Sequence, residues 1–254
     1  MVLPHDVAGD GPPAVLLHAG VCDRRMWDPQ WTALIDAGYR VVRCDFRGFG
    51  QAPVPPDVFN DAEDVLALLD LLGLEQAALV ASSYGGKVAL EIAARWPQRA
   101  TALALLCTGV PDHDPGPDLR AFDTREEALL EAGDVAAAVE LNVTTWLGPD
   151  ADAKTREAVH QMQRRAFELQ LAAADAQGRN NVAFDLSAIS APVLAISGEH
   201  DLPDFRQIAA RLPRLLADAR HLEPAGAGHL PNLERPDETT AALVAFLRKT
   251  MPTN

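Results

Sequence analysis

The stretch that most narrows what this chain can fold into runs from Ala77 to Pro97. Ala77 to Ala81 is an apolar run long enough for a buried strand and too short for a helix. Ser83, Gly85 and Gly86 follow. Val88 with Ile92 and Ala89 with Ala93 then recur four apart until Pro97 stops the helix. A serine at a tight strand-to-helix bend has its hydroxyl lifted clear of the sheet edge, the geometry of a nucleophile elbow. Small residues must flank such a bend, because strand and helix approach closely there. Gly85 meets that need two places after Ser83, and Ala81 meets it two places before. Taken alone, the stretch also fits an ordinary connecting loop that carries a serine, so its meaning depends on the rest of the chain.

The rest of the chain repeats the strand-then-helix unit. Ala14-Val15-Leu16-Leu17-His18 is an apolar run ending in Ala19-Gly20, and the residues before it leave room for one short strand around Leu3 to Val7. Trp27, Trp31, Leu34 and Ile35 then recur at helical spacing, with Gly38 as the stop. Tyr39 to Cys44 reads as a strand entering the turn Asp45-Phe46-Arg47-Gly48-Phe49-Gly50. A proline-rich loop, Pro53 to Pro56, leads to Asn60, whose spacing from Glu63 predicts a capping box. Val65, Leu68, Leu69 and Leu72 line one face of the helix that follows, closed by Gly73. After the elbow helix, Ala102 to Cys107 is another buried strand. These strands are apolar throughout rather than at alternate positions. That pattern predicts an α/β fold, a mostly parallel sheet with helices on both faces.

From Pro111 to about Ala188 the alternation stops. A loop rich in Asp and Pro precedes helical stretches over roughly 123–132, 134–147 and 152–177, the last with Val159, Met162, Ala166 and Leu169 on one stripe. An all-helical insertion between two strands is most simply a cap over the sheet edge, which divides the chain into a core of 1–110 and 189–254 and a cap of 111–188. The sheet resumes at Pro192 to Ser197 and runs into Gly198-Glu199-His200-Asp201. A helix from about Asp204 to Leu212, a weak strand near Arg220 to Glu223 and the turn Ala225-Gly226-Ala227-Gly228-His229 follow. Pro236 opens the last helix, with Ala241, Val244, Phe246 and Leu247 on its apolar side.

Composition limits the classes of partner. A formal charge of −14 argues against nucleic acid, whose phosphates would be repelled. Cys22, Cys44 and Cys107 are spaced too irregularly for a disulfide framework or a zinc site, so no metal and no cofactor are expected, and Cys44 and Cys107 read as core residues. Residues Met1 to Asp6 lack the ordered regions of a secretory leader, and no apolar run reaches the length of a membrane span. A soluble cytoplasmic protein acting on a small molecule is the expectation, with no membrane partner; oligomeric state is not legible.

Three residues are predicted to stand at the C-terminal ends of strands or in the loops just beyond: Ser83, Asp201 and His229. In an open parallel sheet that edge is where ligands bind. A serine hydroxyl is a poor nucleophile near neutrality and needs a base, and imidazole titrates in the right range. A carboxylate holds the ring in the useful tautomer and stabilises the cation that forms. Ser83 is therefore the candidate nucleophile, His229 the general acid/base and Asp201 the orienting acid. Asp204, Asp112 and Asp114 are rivals for the carboxylate, and His18 reads as a loop-bonding residue. Oxyanion donors are expected from the backbone N–H groups of Tyr84 and Gly20.

By these residues the chain resembles the α/β-hydrolase superfamily over nearly its whole length. The family's H-G-x, D-x-R-G-x-G, G-x-S-x-G-G, G-x-x-D and G-x-G-H motifs stand here as His18-Ala19-Gly20, Asp45 to Gly50, Ala81 to Gly86, Gly198 to Asp201 and Gly226 to His229. Ala19 and Ala81 each replace a glycine, and the leading strand pair is reduced to one strand. The resemblance implies an α/β-hydrolase fold with a lid. Ser83 argues against the dehalogenase and epoxide hydrolase branches, which use aspartate at the elbow. Ser82 and Leu230 depart from the C–C hydrolases, which carry asparagine and an aromatic residue there. The implied activity is hydrolysis of small carboxylic esters or lactones through an acyl-enzyme. Alternatives on the same triad are C–C hydrolysis and cofactor-free perhydrolysis; a non-catalytic small-molecule receptor is an alternative of another class. Cys22, Trp27, Phe122, Trp146, Met162 and Phe167 are candidate pocket walls, each of which also fits ordinary packing.

Overall fold

A computed structural model describes residues 2–173 and 175–253. In chain order the core begins with β1 (His5–Ala8), β2 (Pro13–Leu17), α1 (Asp28–Asp36), β3 (Arg40–Cys44), α2 (Asp61–Leu71), β4 (Ala77–Ser82), α3 (Tyr84–Arg95) and β5 (Ala100–Leu106). Three helices intervene: α4 (Pro117–Glu131), α5 (Val135–Trp146) and α6 (Ala153–Leu171). The core then resumes with β6 (Val193–Ile196), α7 (Pro203–Leu215), β7 (Ala219–Leu222), α8 (Pro231–Glu234) and α9 (Pro236–Thr250).

The seven strands form one sheet in the order β1-β3-β2-β4-β5-β6-β7. Every pairing is parallel except β1 with β3, which is antiparallel. Among the described residues one strand precedes β2, as the sequence predicted. From β2 the chain steps to one side to make β3 and then crosses back to make β4 on the other. The crevice between β2 and β4 is thus a topological switch point, the place where open α/β sheets bind ligands. Gly20 follows β2 and Ser83 follows β4.

The inner strands are buried on both faces, which explains their unbroken apolar sequence. In β4, Leu79 and Ala81 point into a cluster with Val65, Leu69, Ala89 and Leu212, while Ala78 and Val80 point into a cluster with Leu34, Leu243 and Leu247. So α2, α3 and α7 cover one face and α1 and α9 the other. The edge strands β1 and β7 are only partly buried, and this accounts for the weak signal of β7.

Helix ends differ from the expectation where tertiary contacts intervene. The first inserted helix starts at Pro117, ahead of the predicted 123, because Pro117 sits at N1 and Gly116 N–H is fixed by Asp204 Oδ1 at 2.6 Å. The third ends at Leu171, ahead of the predicted 177. Residues beyond it pair instead with the proline-rich loop: Gln177 N–H donates to Pro56 O, Phe59 N–H to Gly178 O and Asn180 N–H to Phe59 O. The capping box forms by half. Asn60 Oδ1 accepts from Glu63 N–H at 2.9 Å, but the Glu63 carboxylate turns to Arg95 at 3.0 Å. Among the described residues no helix is long and apolar enough to cross a membrane.

Candidate active site

Ser83 occupies φ +50°, ψ −112°, a left-handed region that non-glycine residues rarely adopt. Such a conformation costs about 1–3 kcal/mol and persists only where its surroundings enforce it. Here they do. Ser83 N–H donates to Leu106 O at 2.8 Å, and its carbonyl accepts from Lys87 N–H at 3.2 Å. Gly85 N–H donates to His18 O at 3.1 Å, and a Cβ on Gly85 would lie 2.5 Å from Leu17 O and 2.6 Å from His18 O. The elbow is therefore pressed against the end of β2, and only glycine fits there. Ala81, in the position where glycine is usual, is buried in the face covered by α2 and α3 and packs as an ordinary core methyl.

His229 lies on the loop after β7 and is 3% exposed. Its Nδ1 is 2.9 Å from both carboxylate oxygens of Asp201, which is also buried. A carboxylate only accepts, so Nδ1 carries the proton and Nε2 is left as the basic nitrogen. Asp201 Oδ1 is further held by Leu202 N–H at 2.7 Å. The ring packs against Trp146, tilted at 4.6 Å, and against Phe205, edge-on at 4.3 Å between centroids. Neither Nε2 nor Ser83 Oγ has a hydrogen-bond partner among the described residues.

Serine and imidazole share one edge of the sheet through Cys107. Ser83 N–H bonds to Leu106 O, and the next residue, Cys107, places Sγ within 4.8 Å of ligand atoms of both Asp201 and His229. Cys107 has φ +48°, and its thiol stands beside the Asp201 carboxylate. Burial pushes that thiol well above its ordinary range, with the Asp201 charge acting in the same direction. Cys107, Asp201 and His229 are the one group of three among the described residues that could offer atoms to a metal. The Asp201 oxygens are committed to His229 and Leu202, so the cluster is a hydrogen-bonded one. The expectation that Cys107 is a core residue covers its burial but omits this contact.

The rival acids are placed elsewhere. Asp204 Oδ1 bonds His113 Nε2 and Gly116 N–H, each at 2.6 Å. Burial pushes the Asp204 carboxyl up, but those two hydrogen bonds outweigh it and hold the group below the usual carboxylate range. Asp114 is almost fully exposed, 3.4 Å from Arg120, and Asp112 sits at a turn with φ +57°.

A Cβ on Gly20 would stand 3.6 Å from Tyr84 Cβ, so the two predicted oxyanion turns are neighbours. No hydrogen bond from the Gly20 or Tyr84 N–H occurs among the described residues. His18 supports this corner. Its Nδ1–H donates to Ala19 O at 2.8 Å and its Nε2 accepts from Phe46 N–H at 3.0 Å. Burial lowers its pKa and keeps it neutral, as that pairing requires. Tyr84 is anchored through its side chain: the hydroxyl donates to Asp61 Oδ2 at 2.5 Å, and Arg179 Nε donates to the same oxygen at 2.9 Å.

Of the predicted wall residues, Trp146 packs against His229, and Phe122 packs edge-on against Trp146 at 4.7 Å. Cys22, Trp27, Met162 and Phe167 are instead buried in the apolar cluster that joins α1 to α5 and α6. Phe205 and Glu234 have no counterpart in the sequence reading. Phe205 follows Asp201 by one helical turn, a spacing that could have flagged it. Glu234 carries no such signal.

The pattern of the "Alpha/beta hydrolase family" matches residues 14–243. A protein of Caulobacter sp. (strain K31), named "Putative carbamate hydrolase RutD", is 31% identical over 264 residues, covering 96% of this chain and 95% of its own. Among solved structures, a thermophilic esterase from Thermogutta terrifontis aligns with TM-score 0.81 and 27% identity, over 98% of this chain and 93% of its own. The enol-lactonase from Burkholderia xenovorans LB400 aligns with TM-score 0.77 and 27% identity, over 96% of each chain. The chain belongs to the alpha/beta hydrolase family. It is a hydrolase with the fold that name denotes.

Proposed function

We propose that this hydrolase cleaves small carboxylic esters or lactones through an acyl-enzyme, with Ser83 as nucleophile, His229 as general acid/base and Asp201 as orienting acid. The observation that carries the reading is the buried imidazole with Nδ1 between both Asp201 oxygens, at the sheet edge where the strained Ser83 stands. His229 Nε2 takes the Ser83 proton as Oγ attacks the carbonyl carbon. The carbonyl oxygen becomes an oxyanion facing the unengaged N–H groups of Gly20 and Tyr84. When the C–O bond to the alcohol breaks, Nε2–H returns the proton to that leaving oxygen. Water then repeats the cycle and frees the acid and Ser83. Residues 111–188 act as the cap, placing Trp146 against the histidine and Phe122 behind it.

The named esterase and enol-lactonase support ester and lactone substrates, and the carbamate hydrolase extends the acyl class to carbamates. A cytoplasmic setting fits three buried, unpaired cysteines. The test is fluorophosphonate labelling followed by mapping of the modified peptide, with p-nitrophenyl acetate and a γ-lactone as substrates. Label on Ser83 and a loss of kcat of about 10⁴-fold or more in Ser83→Ala are expected. Absence of label points to a receptor. Cleavage of a vinylogous diketone with every ester inert points to C–C hydrolysis, and peracid formation from peroxide as the main activity points to a perhydrolase.

A further inference from the structure

We propose that Glu234 is a positioning residue for His229, holding the histidine loop and the end of α5 as one rigid unit. The inference rests on the assignment of His229 as general acid/base. Glu234 Oε1 accepts from Gly228 N–H at 3.1 Å and from Leu230 N–H at 3.2 Å, the two amides that flank His229. Its other oxygen, Oε2, accepts from Gly148 N–H at 2.7 Å, just beyond α5. The remaining amide of the loop, His229 N–H, donates to Trp146 O at 2.9 Å. Three successive N–H groups are thereby fixed, two by one carboxylate and one by the last residue of α5.

The backbones in this region are in direct contact. A Cβ on Gly228 would lie 2.4 Å from Gly148 N, and one on Gly148 would lie 2.8 Å from Glu234 Oε2. A Cβ on Gly198, in the turn that leads to Asp201, would lie 1.8 Å from Gly228 O. The α5 end, the histidine loop and the Asp201 turn are therefore stacked without room for a side chain between them. Trp146, which packs on the imidazole, enters the site as part of this stack.

The chemistry of the clamp calls for a carboxylate. Glu234 is 8% exposed, and no Lys or Arg side chain pairs with its carboxylate among the described residues. Burial raises its pKa, opposed by the three amides and by His229. A buried carboxylate survives without a cation when charge-assisted N–H bonds replace its hydration. Three amide donors converge on two oxygens, so both oxygens must accept. Glutamine offers one acceptor and would set its NH₂ against an amide donor. A purely apolar filler would leave three buried N–H groups unpaired.

The experiment compares Glu234→Gln and Glu234→Ala in the full chain by thermal unfolding, by kcat and KM for p-nitrophenyl acetate, and by the downfield proton resonance of His229 Nδ1–H, assigned by its loss in His229→Ala. We expect kcat to fall about tenfold in Glu234→Gln and about 100-fold in Glu234→Ala, the scale of a ~1 Å misplacement. KM should stay within about threefold, and the resonance should shift or broaden in both variants. Folded Glu234→Gln with kcat within about twofold of the wild type and an unchanged resonance overturns the proposal. Should Glu234→Ala fail to fold, Glu234→Gln decides alone. The resonance needs no substrate, so it reads the clamp even if the wild type turns over no ester, an outcome that overturns only the substrate reading.

Discussion

The substitution that most directly probes the site is Asp201→Asn. Both oxygens of Asp201 lie 2.9 Å from His229 Nδ1, and Oδ1 also accepts Leu202 N–H. In the variant the amide oxygen stays with Leu202, because the nitrogen cannot accept that bond. The NH₂ then takes the place of Oδ2, facing Nδ1 at about the same separation. Two losses follow. The first is the negative charge beside the imidazolium that forms as Ser83 attacks. At ~4 Å and an effective dielectric of about 20, that charge pair is worth about 4 kcal/mol, or roughly 10³-fold in rate. The second is the tautomer: an NH₂ group in place of Oδ2 competes with the oxygen left at Oδ1 for Nδ1, so part of the population carries its proton on Nε2 and cannot act as a base. That adds about tenfold more.

A loss of kcat near 10⁴-fold in Asp201→Asn is therefore expected, measured with p-nitrophenyl acetate at neutral pH. The protein should unfold within a few degrees of the wild type, since the side chain keeps its shape. Asp204→Asn is the control. That carboxylate is engaged with His113 and Gly116, so its loss should leave kcat within about fivefold. A loss below about tenfold in Asp201→Asn, or a larger one in Asp204→Asn, would refute the assignment of the acid and the electrostatic argument behind it.

The remaining predictions concern packing and thiol chemistry. Gly85→Ala drives a methyl into two backbone carbonyls, whereas Gly20→Ala adds one at an ordinary 3.6 Å from Tyr84 Cβ. The first should lower Tm by roughly 4–10 °C, from an overpacking penalty of about 2–3 kcal/mol, and slow fluorophosphonate labelling. The second should leave Tm within about 2 °C; equal shifts in differential scanning calorimetry would show that the elbow is not in contact with β2. Cys22, Cys44 and Cys107 are buried with their thiols pushed above the ordinary range, so iodoacetamide at pH about 8 should modify none of them in the native state and all three after unfolding.

Much of this architecture can be read from local pattern, because it arises from local causes. The β4 run Ala77 to Ala81 is apolar without alternation since both of its faces are covered, and the Ser82-Ser83 pair ends it. Asn60 caps α2 by a bond three residues away. What the sequence hid depends on contacts between distant segments. The helical pattern of α6 is not continued to 177, where the backbone at Gln177, Gly178 and Asn180 pairs instead with the loop at Pro56 and Phe59. Met162 and Phe167 lie on the inward stripe of α6, but spacing alone does not say whether that stripe faces a cavity or a neighbouring helix. Glu234 was hidden because its partners are amides at 148, 228 and 230, and amides leave no mark on sequence.

The glycines of the motifs separate in the same way into those that space demands and those that it does not. Ala19 and Ala81 replace glycine without disturbance, since both methyls point into packed apolar clusters. At Gly85, Gly198 and Gly228 a Cβ would meet backbone atoms at 2.5 Å or less, and backbone cannot swing aside. These three positions lie where the Ser83 elbow meets β2, where the Asp201 turn meets the His229 loop, and where that loop meets the end of α5. Glycine is thus required at the joints that hold the proposed triad in register. At Gly20, by contrast, an added methyl would make only an ordinary contact, 3.6 Å from Tyr84 Cβ. The relative placement of Ser83, Asp201 and His229 is set by backbone on backbone, and the side chains of the proposed triad are carried on those contacts.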